Sequence, residues 1–138
     1  MIIVNFKAYE EAINWKARDL SKKCKKASED SGAEVISVPQ TQDLRICEGE
    51  VFSQHLDGVN TGSHTGSMVA EGLKDSGASG TLLNHSENRI EKEDIRKSIE
   101  RCRDLDLITV VCAQSPEECE NLSSLEPDYV AFEPPELI

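Results

Sequence analysis

Six short apolar runs, rich in β-branched residues and each separated from the next by a helical stretch, constrain this chain more than any other feature. The runs are Ile2 to Asn5, Val35 to Val38, Val51 to His55, Gly80 to Leu83, Leu107 to Cys112 and Tyr129 to Phe132. Several are apolar throughout, not alternating, as in strands covered on both faces, and such strands belong to parallel sheets flanked by helices. From Glu11 to Ser31, Ala12, Trp15, Leu20, Cys24 and Ala27 recur near helical spacing and Gly32 follows as a stop signal. From Glu91 to Leu105, Ile95, Ile99, Cys102 and Leu105 form a stripe, with acids in the first turn and Arg101 and Arg103 in the last. Shorter helices are predicted over Glu71 to Ser76 and Pro116 to Leu125, and a weaker one over Thr41 to Glu48. Strict alternation of strand and helix makes the class α/β. Periodicity alone leaves an open doubly wound sheet and a barrel both available. Polar residues at the C-terminal ends of separate strands favour the barrel, where those ends converge on one mouth: Asn5 and Lys7, Gln54 and His55, Asn84 and His85, and Glu133.

With 138 residues, 38% apolar and 30% charged, the chain fits one domain spanning 1–138. It has no apolar run of membrane-spanning length, and its first residues lack the basic and long apolar segments of a signal peptide, so a cytoplasmic location and no membrane partner are expected. A formal charge of −11 opposes nucleic acid as a partner, and any bound phosphate must be held by local groups working against that field. The five cysteines are odd in number and lack CxxC spacing, which argues against a disulfide framework or a zinc site and for small buried apolar residues.

Three segments carry candidate chemistry. A lysine after a strand, as in Asn5-Phe6-Lys7, is most often only a polar terminus; a functional Lys7 would bring positive charge to a phosphate or a developing enolate oxygen. The segment Leu83-Asn84-His85-Ser86-Glu87 is more specific, because it runs from a strand through a histidine into Ser86, which is positioned to cap a following helix. Amides at a helix N-terminus disfavour imidazolium, so His85 is expected to remain neutral and to donate a hydrogen bond to a carbonyl. At Phe132-Glu133-Pro134-Pro135 a strand delivers a carboxylate into a turn stiffened by two prolines; a capping or surface glutamate is the plainer reading. At a barrel mouth opposite His85, that carboxylate could instead remove a proton α to a carbonyl.

In these residues, in their order and at compatible intervals, the chain resembles the triosephosphate isomerase family over its whole length. Gly62-Ser63-His64-Thr65-Gly66 and Thr109 to Cys112 look like the family's third-loop knob and fifth strand, and Leu82-Leu83-Asn84-His85-Ser86-Glu87 resembles its archaeal branch. The resemblance implies a (β/α)8 TIM barrel, incomplete, with the first six strands and about five helices. It implies interconversion of glyceraldehyde 3-phosphate and dihydroxyacetone phosphate through an enediolate, in glycolysis and gluconeogenesis, with no metal or other cofactor. By resemblance Glu133 is the base, His85 the neutral electrophile, Lys7 a charge stabiliser that also binds substrate, and Asn5 a substrate-positioning group. Glu87 is the acid beside the lysine, Ser86 supports it, and Cys112 packs. The chain departs from much of the family at Ser67 and Asn88.

A complete barrel takes roughly 250 residues. The resemblance therefore stops in the sixth loop and implies a split or truncated enzyme, without the later loops that grip the phosphate. The strands Ile2 to Asn5 and Tyr129 to Phe132 are then expected to be open edges. They would pair with a complementing C-terminal chain or with another copy, aided by the Gly62–Gly66 loop, to give an oligomer. A catalytically inactive fragment or structural half-barrel of the same family, and an unrelated α/β binding module, are the alternatives.

Overall fold

The computed structural model describes residues 1–134 and 136. Their six strands are β1 (Ile2–Asn5), β2 (Val35–Val38), β3 (Glu50–Ser53), β4 (Gly80–Leu83), β5 (Ile108–Ala113) and β6 (Tyr129–Phe132). Between them lie α1 (Trp15–Ser31), α2 (Ala70–Asp75), α3 (Lys92–Asp104) and α4 (Pro116–Ser123). The strands form one parallel sheet in the order 1-2-3-4-5-6, so each pairs only with its neighbours in sequence.

The central strands β2 to β5 are buried on both faces, which is why they read as largely apolar runs. Ile36, Val38, Phe52, Leu82 and Val110 make one cluster on the concave side. Their neighbours Val51, Leu83 and Val111 point the other way, and pack with Leu73, Ile95, Ile99 and Leu122 from the helices. A third cluster joins Val35 and Phe6 to Ala17 and Cys24 of α1. Gly80 is where β4 comes closest to its surroundings: a Cβ there would lie 2.6 Å from the Ile108 carbonyl oxygen and 2.8 Å from the Phe52 ring.

The sheet is curled. In a flat sheet β1 and β4 would be about 14 Å apart, three spacings of about 4.8 Å, yet the side chains that follow them, Lys7 and Glu87, meet at 2.8 Å. An open doubly wound sheet is thereby set aside in favour of part of a barrel. Among the described residues β1 and β6 are the edges, and Ile2 and Phe132 are each about half exposed.

Three expected elements differ. The first helix begins at Trp15, not Glu11: Glu10–Ala12 is a 3-10 turn, and Asn14 takes φ 55° with its amide donated to buried Asp43 at 2.9 Å. Thr41–Ile46 is 3-10 helix, leaving four α-helices among the described residues. β3 ends at Ser53, its last partner of Thr81, so Gln54 and His55 lie beyond the strand. Gly32 does close α1, in the left-handed region with its amide on the Ser28 carbonyl at 2.9 Å.

Candidate active site

The C-terminal strand ends bring the expected residues together around a cleft of about 550 Å³ whose walls include Asn5, Lys7, Gln54, His55, His85 and Glu87. Lys7 reaches it from a left-handed backbone, φ 48°, a conformation that L-residues seldom adopt without support. The support is visible. Asn5 Oδ1 accepts the Lys7 amide at 3.0 Å, and the Lys7 carbonyl accepts from Gln54 Nε2 at 2.9 Å and Gln40 Nε2 at 3.2 Å. Asn5 thus holds Lys7 directly. Gln54 also donates to the Val38 carbonyl at 3.2 Å, tying this turn to β2.

Lys7 Nζ donates to Glu87 Oε1 at 2.8 Å. That hydrogen bond, outweighing partial desolvation, holds the lysine above its ordinary pKa and the Glu87 carboxyl below its own. The expected nearness of this acid to the lysine is therefore present in the geometry.

The surroundings of His85 differ from expectation. No helix begins at Ser86: residues 85–88 form a turn closed by the Asn88 amide on the His85 carbonyl at 2.8 Å, and α3 starts only at Lys92. Ser86 caps nothing, and its Oγ is buried without a hydrogen-bond partner among the described residues. The helix N-terminus is replaced by a single amide. Glu87 N–H donates to His85 Nδ1 at 3.1 Å, so Nδ1 is the acceptor and the ring hydrogen belongs on Nε2. Nε2 points to Glu133 Oε1 at 3.6 Å.

Glu133 follows β6, its amide donated to the Ala113 carbonyl at 2.8 Å, and its Oε2 is buried with no partner among the described residues. Burial, and after it the Glu133 charge, pushes the Cys112 thiol up to about 12, consistent with a packing cysteine. Pro134 follows the carboxylate directly; Pro135, the second proline of the expected turn, lies outside the described residues.

An ammonium and an imidazole N–H, following two separate strands, thus line one cleft, and a carboxylate following a third reaches the imidazole at 3.6 Å. Gln40 is a participant that the sequence did not single out, since a glutamine after Pro39 has no local signature. No cluster of three or more metal-type side chains occurs among the described residues.

Comparison with known proteins gives the family. The family model described as triosephosphate isomerase matches residues 1–138. Triosephosphate isomerase of Methanocaldococcus jannaschii is 42% identical over 100% of this chain and 65% of its own length. That of Sulfurisphaera tokodaii is 44% identical over 100% of this chain and 62% of its own. The chain therefore spans a little under two thirds of these curated relatives. The crystal structure of triosephosphate isomerase from Bartonella henselae superposes with a TM-score of 0.79 at 18% identity, covering 96% of this chain and 67% of that one, which supports the fold. A family match over every residue, archaeal relatives above 40% identity and a barrel-type sheet agree: the chain belongs to the triosephosphate isomerase family.

Proposed function

We propose that this chain carries the proton-transfer residues of a triosephosphate isomerase, acting on glyceraldehyde 3-phosphate and dihydroxyacetone phosphate. The observation that carries the reading is the approach of the Glu133 carboxylate to His85 Nε2, at 3.6 Å, beside the Lys7–Glu87 pair. Glu133 takes the proton from the carbon next to the substrate carbonyl. The His85 Nε2–H donates a hydrogen bond to that carbonyl oxygen as it gains charge, and Lys7 adds positive potential across the cleft. The hydroxyl proton of the neighbouring carbon passes to the former carbonyl oxygen, with His85 Nε2 as the group between the two oxygens, and that neighbouring carbon is reprotonated by the same carboxyl group, which returns Glu133 to its starting state. This acid–base chemistry calls for no metal and no organic cofactor. In this family a carboxylate base and a neutral imidazole share the work, their environments setting which one takes the proton and which one polarises the carbonyl.

Full turnover in this reading needs more barrel than six strands. A complementing stretch, from the same or a separate polypeptide, would cover β1 and β6 and supply amides for the phosphate. Self-association of the edges, with the Gly62–Gly66 loop, would bury them without building the phosphate site. An inactive structural half-barrel is the second reading, favoured by the half-exposed apolar residues of the two edge strands. A glycolytic and gluconeogenic role in the cytoplasm follows from the first reading.

Isomerisation of glyceraldehyde 3-phosphate is the test, with the chain alone and mixed with a polypeptide supplying the remaining strands. Turnover is expected in the mixture, and Glu133→Gln is expected to lower it about 10²–10⁴-fold. Near-normal turnover in that variant would overturn the assignment of the base, and no turnover in either arm would favour the inactive reading.

A further inference from the structure

The proposed chemistry depends on where the His85 ring sits, yet His85 lies in an irregular loop, residues 84–91, and not at a helix start. Something must hold that loop. Asn84 enters it in the left-handed region, φ 60°, with only 1% of its surface exposed. Its amide group closes the loop on itself and on the sheet: Oδ1 accepts the Ile90 amide at 3.2 Å and Nδ2 donates to the Cys112 carbonyl of β5 at 3.0 Å.

The remaining groups converge on Glu118. Ser115-Pro116-Glu117-Glu118 is the pattern of a helix capping box, and Ser115 does cap α4, its Oγ accepting the Glu118 amide at 3.1 Å. In an ordinary box the glutamate would turn back to the amide of the capping residue. Here it is diverted. Oε2 accepts the Gln114 amide at 2.7 Å, while Oε1 pairs with Arg89 Nη2 and lies 3.5 Å from Asn84 Nδ2. Arg89 completes the circuit by donating through Nη1 to the Asn84 carbonyl at 3.3 Å, the peptide unit immediately before His85. Burial alone would raise the Glu118 pKa, but the Arg89 guanidinium and the Gln114 amide outweigh it and hold the carboxyl below its ordinary range.

We propose that Glu118, acting through Arg89 and Asn84, is a positioning residue that fixes the His85 loop against the corner between β5 and α4. This rests on the proposed function only for its consequence in catalysis; the clamp itself is a statement about where the ring is held. One acidic side chain on α4 joins the loop after β4 to the end of β5, the strand beside β6 and its Glu133. Releasing it frees the peptide ahead of His85 and, with it, the contact between Glu87 N–H and Nδ1.

The test is nitrogen NMR of the His85 ring in the full chain and in Arg89→Ala, Glu118→Ala and Glu117→Ala. Arg89→Ala leaves the Gln114 and Ser115 contacts of α4 intact, so it removes the tether while keeping the helix capped. In the parent chain the two ring nitrogens should give separate resonances, an acceptor-type Nδ1 and a protonated Nε2. In Arg89→Ala and Glu118→Ala the ring should exchange tautomers, and the separation should narrow. The double variant should behave like either single one, because both break the same linkage. Glu117→Ala, at an exposed neighbour, should change nothing. Unchanged His85 resonances in Arg89→Ala, with circular dichroism showing the fold retained, would overturn the clamp, and this variant decides alone if Glu118→Ala does not fold. Absence of isomerase activity even in the mixture with the remaining strands would overturn the proposed function and leave this result standing.

Discussion

Asp128 offers the sharpest check on how the last strand is held. It stands just before β6, and a single carboxylate oxygen, Oδ2, accepts both the amide and the hydroxyl of Thr109, each at 2.8 Å. The Thr109 hydroxyl oxygen in turn accepts the Asp128 amide at 3.0 Å. Thr109 is 1% exposed, so removing the carboxylate leaves two of its donors with nothing to bond. Hydrogen bonds to charged groups contribute about 1.5–3 kcal/mol each. Asp128 itself is exposed and water can partly substitute, so the low end applies and Asp128→Ala should cost about 3 kcal/mol. At roughly 4 °C per kcal/mol for a chain of this length, the melting temperature should fall by about 12 °C. Asp128→Asn can present its amide oxygen in the same place without the charge, and should cost only about 1 kcal/mol. Urea unfolding of the three proteins, with hydrogen exchange on Tyr129 to Glu133, measures both the loss and its location. A variant Asp128→Ala within about 0.5 kcal/mol of the parent, the usual scatter of surface changes, would refute the reasoning.

Gly80→Ala should destabilise by about 1–3 kcal/mol through overpacking, since its Cβ would meet the Ile108 carbonyl at 2.6 Å and one of the two must move; an unchanged urea midpoint would count against that close approach. The Lys7–Glu87 pair should contribute about 0–1 kcal/mol, being partly exposed and screened by salt. Glu87 has a lowered folded-state pKa, so its share is present above the unfolded value of about 4.3 and lost as pH falls through the folded one. Lys7 has a raised one, so its share is complete below about 10.4 and lost as pH rises through the folded value. The stability gap between the parent and Lys7→Gln should therefore be flat between those limits and close on both sides; a gap that persists well below pH 4 would show that the charge pair is not its source.

Strand positions were legible because apolar runs covered on both faces leave little freedom, and β1, β2, β4 and β6 lie where their residues indicate. Two of the differences involve groups from far along the chain, and the third, at Ser86, is local. Asp43 takes the Asn14 amide and delays α1. Just past the end of β3, the Gln54 side chain donates through Nε2 to the Lys7 and Val38 carbonyls. Ser86 was read as a helix cap because serine after a strand so often is one, but Asn84 and Arg89 provide a closed loop in place of a helix. Lys7, His85 and Glu133 stand out because each closely follows a strand end, and Glu87 only through the family resemblance. Glu118 could not be found, because Ser115-Pro116-Glu117-Glu118 reads locally as an ordinary capping box and says nothing of Arg89 or Asn84.

The sheet order has a consequence for how the molecule comes into being. Each strand bonds only to the one made just before it, with Ile2 opposite Val35 and Gly80 opposite Ile108, so the sheet can grow by addition while synthesis proceeds. The cleft cannot. Its Lys7–Glu87 contact spans 80 residues and waits until four strands have joined and bent. The extra closure entropy over a single strand-to-strand step is below about 1 kcal/mol, because that cost grows only with the logarithm of loop length. A nascent chain of this kind therefore acquires its hydrophobic layers early and its chemistry late, when Glu133, the last of the converging groups, is finally laid down beside the histidine.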